Sequence, residues 1–233
     1  MNKPVNTSTA EKHSDKVRIV FYADPLCCWC WAFEANWKKF CVHYESIFEW
    51  EYCMGGMIPN WTHYSDPLNM VSKPAQMAPM WMQAQQISGQ PIYEDIWMED
   101  PPESSYPACL AVKTAGMQSI LAGKALFSVL QESVMMRGIN IAKTENISRI
   151  ARQLSVRNSI LNYELFVEEY NSPASLAAFR TDLQQVKLHQ IGRFPTLTMT
   201  RPGRPGVMIT GYRPFEVLIE AFFQMAPECQ SAS

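Results

Sequence analysis

Two cysteines three residues apart, Cys27 and Cys30, stand in the run Phe21-Tyr22-Ala23-Asp24-Pro25-Leu26-Cys27-Cys28-Trp29-Cys30-Trp31, with a third, Cys28, between them. The run lies where a strand is expected to hand over to a helix. A cysteine at a helix start faces main-chain N–H groups that have no partner in the helix. Those groups and the helix dipole favour a thiolate over a thiol. A stabilised thiolate is both attacking and leaving group in disulfide exchange. Cys27 is the expected attacking thiolate, exposed at the helix start, and Cys30 the resolving thiol inside the first turn. The expected chemistry is redox chemistry done by the protein itself, with no cofactor. Half of a zinc site and a purely structural pair are the other readings. Zinc needs four ligands, usually from two such pairs. There is no second Cys-x-x-Cys, and His43 and His63 are not at a ligand spacing. No metal is therefore assigned. Cys28 is expected as a surface thiol, since a bridge between adjacent cysteines is strained.

Further candidates surround this pair. Phe194-Pro195, in IGRFPTLTM, puts a proline directly before a β-branched strand. A trans proline entering a strand is the simpler reading. A cis bond would let Phe194 present its N–H and C=O to an extended substrate, and only the fold as a whole raises it above its base rate. Glu34 lies one turn after Cys30. It is either the acceptor of the Cys30 proton or a solvated charge on the helix face. Asp24 is read as a turn former. Met54, Met57, Met70, Met77, Met80 and Met82 crowd one region with Trp61 and Trp81. They fit an irregular core or an adaptable apolar groove better than a Cu(I) site. Cys41, Cys53 and Cys109 sit in hydrophobic segments and read as small buried hydrophobes.

The elements that must position these residues follow from periodicity. Residues 17–22, VRIVFY, read as a strand buried on both faces, ended by Asp24-Pro25. From Cys28 to about Tyr44, Trp29, Phe33, Trp37, Phe40 and Cys41 recur at spacings of three and four, one apolar helical stripe. Residues 46–54 read as a second strand, with Gly55-Gly56 as a turn or a close backbone approach. Near the other end, 173–190 read as a helix capped by Ser172-Pro173. Strands follow at 195–200 and in VMIT, joined by the turn RPGRPG, and PFEVLIEAFFQM is a last helix. Between these halves no strand alternation stands out. Helices are expected at 74–88, 106–115, 119–137, 144–157 and 160–168, which makes the middle a helical insertion.

Composition bounds the partners. The chain has 233 residues, 47% of them hydrophobic, enough for a sizeable core. Its formal net charge of -2 and lack of a basic tract argue against nucleic acid or an anionic membrane as main partner. No apolar run approaches the roughly 18 residues of a membrane span. The first sixteen residues, MNKPVNTSTAEKHSDK, lack the apolar stretch of a secretory signal. The expected location is the cytoplasm, the alternative being a signal already removed. Seven cysteines cannot all pair within one chain.

Taken in order, VRIVFYAD, DPLCCWCWAFE, MGGM, SYPACLAV, GRFPTLTM and GYRPFEVL resemble the DsbA-like branch of the thioredoxin superfamily, with most similarity to its cytoplasmic FrnE-like and Spx-adaptor groups. The pieces cover nearly the whole chain. The resemblance implies an α/β thioredoxin fold, residues 15–66 and 170–227, interrupted by a helical domain, 67–169. It implies Cys27 as nucleophile, Cys30 as its partner and Pro195 as a cis-proline facing them, with Trp29, Phe194 and Thr196 in contact with substrate. The function implied is that of an enzyme, a thiol–disulfide oxidoreductase acting on protein or small-thiol disulfides, as reductase or isomerase in a reducing cytoplasm. Cys27 would attack the substrate disulfide, and Cys30 would then attack the Cys27 sulfur and release the reduced substrate. The cysteine at position 28 departs from the family pattern. Adaptors share this fold, so a redox-sensitive binding protein with little turnover is the alternative.

Overall fold

The computed structural model describes residues 16–232. The polar N-terminal run and the expected domain start at residue 15 lie outside the described residues. Strand β1 (Val17–Ala23) leads through Asp24-Pro25 into helix α1 (Cys28–Tyr44), and the chain returns in strand β2 (Phe48–Met54). β1 and β2 are parallel, in register from Val17 opposite Phe48 to Ala23 opposite Met54. A parallel pair needs a crossover, which α1 supplies. β3 (Thr196–Thr200) and β4 (Val207–Thr210) complete a four-stranded sheet in the order β2-β1-β3-β4, both pairing antiparallel to their neighbours.

Alternation decides what each face covers. Val17, Ile19, Phe21 and Ala23 are buried on one face, and Arg18 is exposed on the other. The stripe of α1 sits on the first face. Trp37 meets Phe21 and Trp50 edge-on, with centroids 5.3 and 5.0 Å away. Phe40 stacks on Phe48 at 5.2 Å and meets Phe222 of α9 (Phe215–Met225) edge-on at 5.2 Å. Each such ring contributes about 1.5–3 kcal/mol by burial. The other face carries Tyr22 and Cys53, which pack with Val186 of α8 (Pro173–Leu188), Ile191 and Phe194. The helix α8 starts as expected: the Ser172 side chain accepts from Ser175 N, and Pro173 stands in the first turn.

The middle is helical: α2 (Met77–Ser88), α3 (Ile96–Glu99), α4 (Tyr106–Gln118), α5 (Ile120–Arg137), α6 (Thr144–Arg157) and α7 (Tyr163–Glu169). The architecture is the α/β thioredoxin fold with a helical insertion. α3 has only one turn and shows no period, so the sequence does not predict it. α4 and α5 lie close together, because a Cβ on Gly123 would come within 3.0 Å of the Gly116 Cα. They cover the exposed side of β2, where Phe127 stacks on Tyr52 at 4.1 Å and Lys124 Nζ lies 3.5 Å over the Trp50 ring. Trp31 Nε1 donates to Pro91 O at 3.0 Å and so ties the start of α1 to the segment after α2.

Candidate functional site

The site begins at the end of β1. Asp24 turns the chain: Cys27 N donates to its carbonyl at 3.0 Å and Leu26 N to its Oδ1 at 2.9 Å. Cys27 then caps α1 in extended conformation, and its Sγ accepts from Cys30 N at 3.1 Å. All three cysteines are under cover: Cys27, Cys28 and Cys30 are 3, 1 and 2% exposed. Two expectations are corrected here. Cys28 is not a surface thiol, and Cys27 is not exposed. The reason is tertiary: the loop after β2 and helix α2 close over the first turn of α1. Burial, then the neighbouring Cys27, pushes the Cys28 thiol well above the ordinary thiol range. Burial, then the hydrogen bond and charge of Cys27, does the same for Cys30. Burial and Asp66, then Cys27 and Cys28, push Tyr64 up as well.

A cleft of about 730 Å³ opens over the thiols. Cys27, Cys28 and Trp29 line its base, and Met57, Tyr64, Asp66 and Leu68 one wall. Met80, Gln83 and Ile87 of α2 extend that wall, while Arg193, Phe194, Tyr212 and Arg213 form the opposite one. The Phe194-Pro195 bond is cis. Its loop is held by Gly211 N donating to Pro195 O at 2.7 Å and by the Thr196 hydroxyl donating to Arg193 O at 2.8 Å. No hydrogen bond among the described residues uses the N–H or C=O of Phe194. Gly55 makes room for the Phe194 ring, since a Cβ there would come within 2.4 Å of it.

Of the residues singled out from sequence, Cys27, Trp29 and Phe194 share the cleft. Cys30 is buried behind Cys27, and Pro195 and Thr196 belong to the wall behind Phe194, Thr196 being buried. Glu34 pairs with Lys38 at 2.9 Å on α1.

Asp24 is the residue that sequence reasoning underrated. It is completely buried, and its Oδ2 accepts from Met57 N at 2.6 Å, Ser105 Oγ at 2.7 Å and the Cys109 thiol at 3.3 Å. Burial raises its pKa, and the hydrogen bonds from Met57, Ser105 and Leu26 oppose the rise. Ser105 also accepts from Ile58 N at 3.1 Å. One carboxylate thus ties the thiol loop, the loop after β2 and the start of α4 together. Cys109 is a hydrogen-bond donor as well as a buried hydrophobe.

The chain is similar to the ClpXP adapter protein SpxH of Halalkalibacterium halodurans, 26% identical over 217 residues, which are 92% of this chain and 69% of that protein. Its structure resembles a probable DsbA oxidoreductase from Streptomyces coelicolor, with TM-score 0.68 and 14% identity over 91% of each chain. It also resembles the cytosolic disulfide reductase DsbM from Pseudomonas aeruginosa, with TM-score 0.65 and 19% identity over 92% of this chain and 98% of that one. At such identities the two structures share the fold. The sequence relatives correct the expectation of an enzyme. A protein thiol–disulfide oxidoreductase or isomerase with a redox-active centre at Cys27 and Cys30 is overturned by relatives that bear the name of an adapter along nine-tenths of the chain. What stands is a thioredoxin-fold protein related both to DsbA-like oxidoreductases and to the SpxH adapters. The sequence model of the family described as thioredoxin matches residues 20–220, and the chain belongs to that family.

Proposed function

We propose that this protein is an adapter of the thioredoxin fold, which binds a protein partner in the cleft over Cys27 and brings it to a protease such as ClpXP, the machine named in its relatives. The carrying observation is the burial of the three thiols beneath a broad cleft. Cys27, 3% exposed, meets solvent only at the base of that cleft, a poor position for attack on a disulfide of a folded client. Cys28 and Cys30, held protonated by burial, are poor nucleophiles. The walls, in contrast, offer a large surface from both the sheet unit and the insertion. Phe194 adds main-chain groups free to pair with an extended segment.

The thiols make this binding redox-sensitive. A peroxide, small enough to enter the cleft, that joins Cys27 to Cys30 takes two electrons and two protons from the pair and leaves as water. It also weakens the sulfur acceptor that caps α1. The reducing cytoplasm, where thiols stay free, suits such a switch.

Protein half-lives test the reading. In cells lacking this chain, a small set of proteins should persist several-fold longer, and only where ClpXP is present. Wild-type chain should restore their turnover, and so should a Cys30→Ser variant under reducing conditions. Unchanged half-lives across the proteome would remove the adapter reading.

A further inference from the structure

The two walls of the cleft differ in chemistry, and the difference specifies a partner. One wall carries exposed apolar side chains among polar ones, Asp66, Asn69 and Gln83 included. Its rim is the turn 66–71, closed by Asp66 N to Val71 O at 2.8 Å and Val71 N to Asp66 O at 3.0 Å. The Asp66 carboxylate accepts from Leu68 N, Asn69 N and Asn69 Nδ2, which fixes it within the turn. That rigid turn holds Leu68 72% exposed and Met70 81% exposed, Met70 at a left-handed φ of 55°. A non-glycine residue in this conformation costs roughly 1–2 kcal/mol. Ile87 of α2, also exposed, lines the same cleft. Apolar side chains displayed together on a hydrogen-bonded frame mark a contact surface.

The opposite wall is cationic. Arg193 and Arg213 are exposed, line the cleft and have no acidic partner among the described residues. The chain as a whole carries a net charge of -2, so this positive wall runs against the overall balance. The same wall carries Phe194, whose main-chain N–H and C=O make no hydrogen bond among the described residues.

We propose that the cleft recognises an extended, acidic segment of the partner protein, with an apolar side chain seated on Leu68 and Ile87 and carboxylates facing Arg193 and Arg213. This rests on the adapter reading and names the partner it takes. A small thiol would occupy the cysteine end of the cleft but leave Leu68 and Met70 uncovered. The turn and the arginines together fit a longer chain.

Fluorescence anisotropy on the full chain tests this with three labelled unstructured peptides. Each has one central leucine, and the flanks are aspartate and glutamate, serine, or lysine. The acidic peptide should bind about tenfold tighter than the serine peptide, the yield of two exposed ion pairs. The lysine peptide should bind weakest, and the spread should shrink as salt rises. The double variant Arg193→Glu/Arg213→Glu should invert the order, while Leu68→Ser should weaken all three by a similar factor. Equal binding of the three peptides, or an unchanged order in the double variant, overturns the acidic preference and leaves the adapter reading standing. Displacement by glutathione with no effect of Leu68→Ser would assign the cleft to small thiols and overturn the proposal. Unchanged protein half-lives with the peptide order intact would instead overturn the adapter reading alone.

Discussion

Two buried aspartates hold the two ends of this molecule's central junction, and they do so by different means. Asp182 on α8 accepts from Met54 N at 2.7 Å and is paired with Lys113 of α4 at 2.8 Å. Asp24, beside the thiols, also accepts a main-chain N–H of the segment after β2, from Met57, but its other partners are Leu26 N, a hydroxyl and a thiol. Burial raises both pKa values. For Asp182 the Lys113 cation is the largest opposing influence, whereas for Asp24 neutral donors alone oppose the rise. The first is an ion pair at a helix junction. The second is a polar knot on which three segments depend, with no cation to share the cost of burial.

The largest expected effect is therefore at Asp24. Asp24→Ala leaves two N–H groups, a hydroxyl and a thiol without their acceptor and should cost about 3–5 kcal/mol in urea unfolding. A cost under about 1 kcal/mol would erase the distinction between the two aspartates. Asp182→Ala should cost less, about 1.5–3 kcal/mol, because the Lys113 side chain is 24% exposed and can turn to water. An Asp182 variant less stable than the Asp24 variant would reverse the comparison.

Acidity sharpens the contrast. A carboxyl whose folded pKa lies above its unfolded value binds its proton more tightly in the native state. Between those two values the folded protein holds more protons than the unfolded one, and stability falls as pH rises. Both aspartates contribute in this sense. Unfolding followed from neutral pH down toward the ordinary carboxylate range should show each contribution as a gain. Asp24→Asn should flatten that slope more than Asp182→Asn. Equal flattening would mean that the neutral donors of Asp24 offset burial as well as Lys113 does for Asp182.

The smallest expected effect is at Cys109. Its thiol is a weak donor, so Cys109→Ala should cost about 0.5–1.5 kcal/mol, and Cys109→Ser, which offers Asp24 a stronger donor, less than that. Thermal unfolding of the pair measures it. A serine variant less stable than the alanine one would show that Cys109 acts through packing alone.

How much of this was legible in the sequence depends on the reach of each interaction. The strand–helix–strand opening, the apolar stripe of α1 and the Ser172-Pro173 helix start are local patterns, and they read correctly from 17–54 and 172–188. The glycine pair at 55–56 signalled a turn or a close backbone approach: Gly56 has a left-handed φ of 57°, and Gly55 lies against the Phe194 ring. The role of Asp24 was not legible. Its partners lie 33, 81 and 85 residues away, and Asp-Pro after a strand is a sufficient local reason for an aspartate. Asp182 likewise reads as one more polar position on a helix.

By itself the sequence determined the elements other than α3 and their order, because hydrophobic period, turn residues and caps act over a few residues, while the thioredoxin fold followed from the resemblance of its motifs. The same resemblance implied that the Phe194-Pro195 loop would face the cysteines. Only the tertiary structure decided that the thiols are covered, that the Asp66 carboxylate is held by donors of its own turn while two arginines stay open, and that exposed apolar side chains and these arginines line one cleft. Accessibility and charge neutralisation are sums over segments distant in the chain. A Cys-x-x-Cys motif specifies where sulfur will be, and the loop and helix that fold over it determine what can reach it.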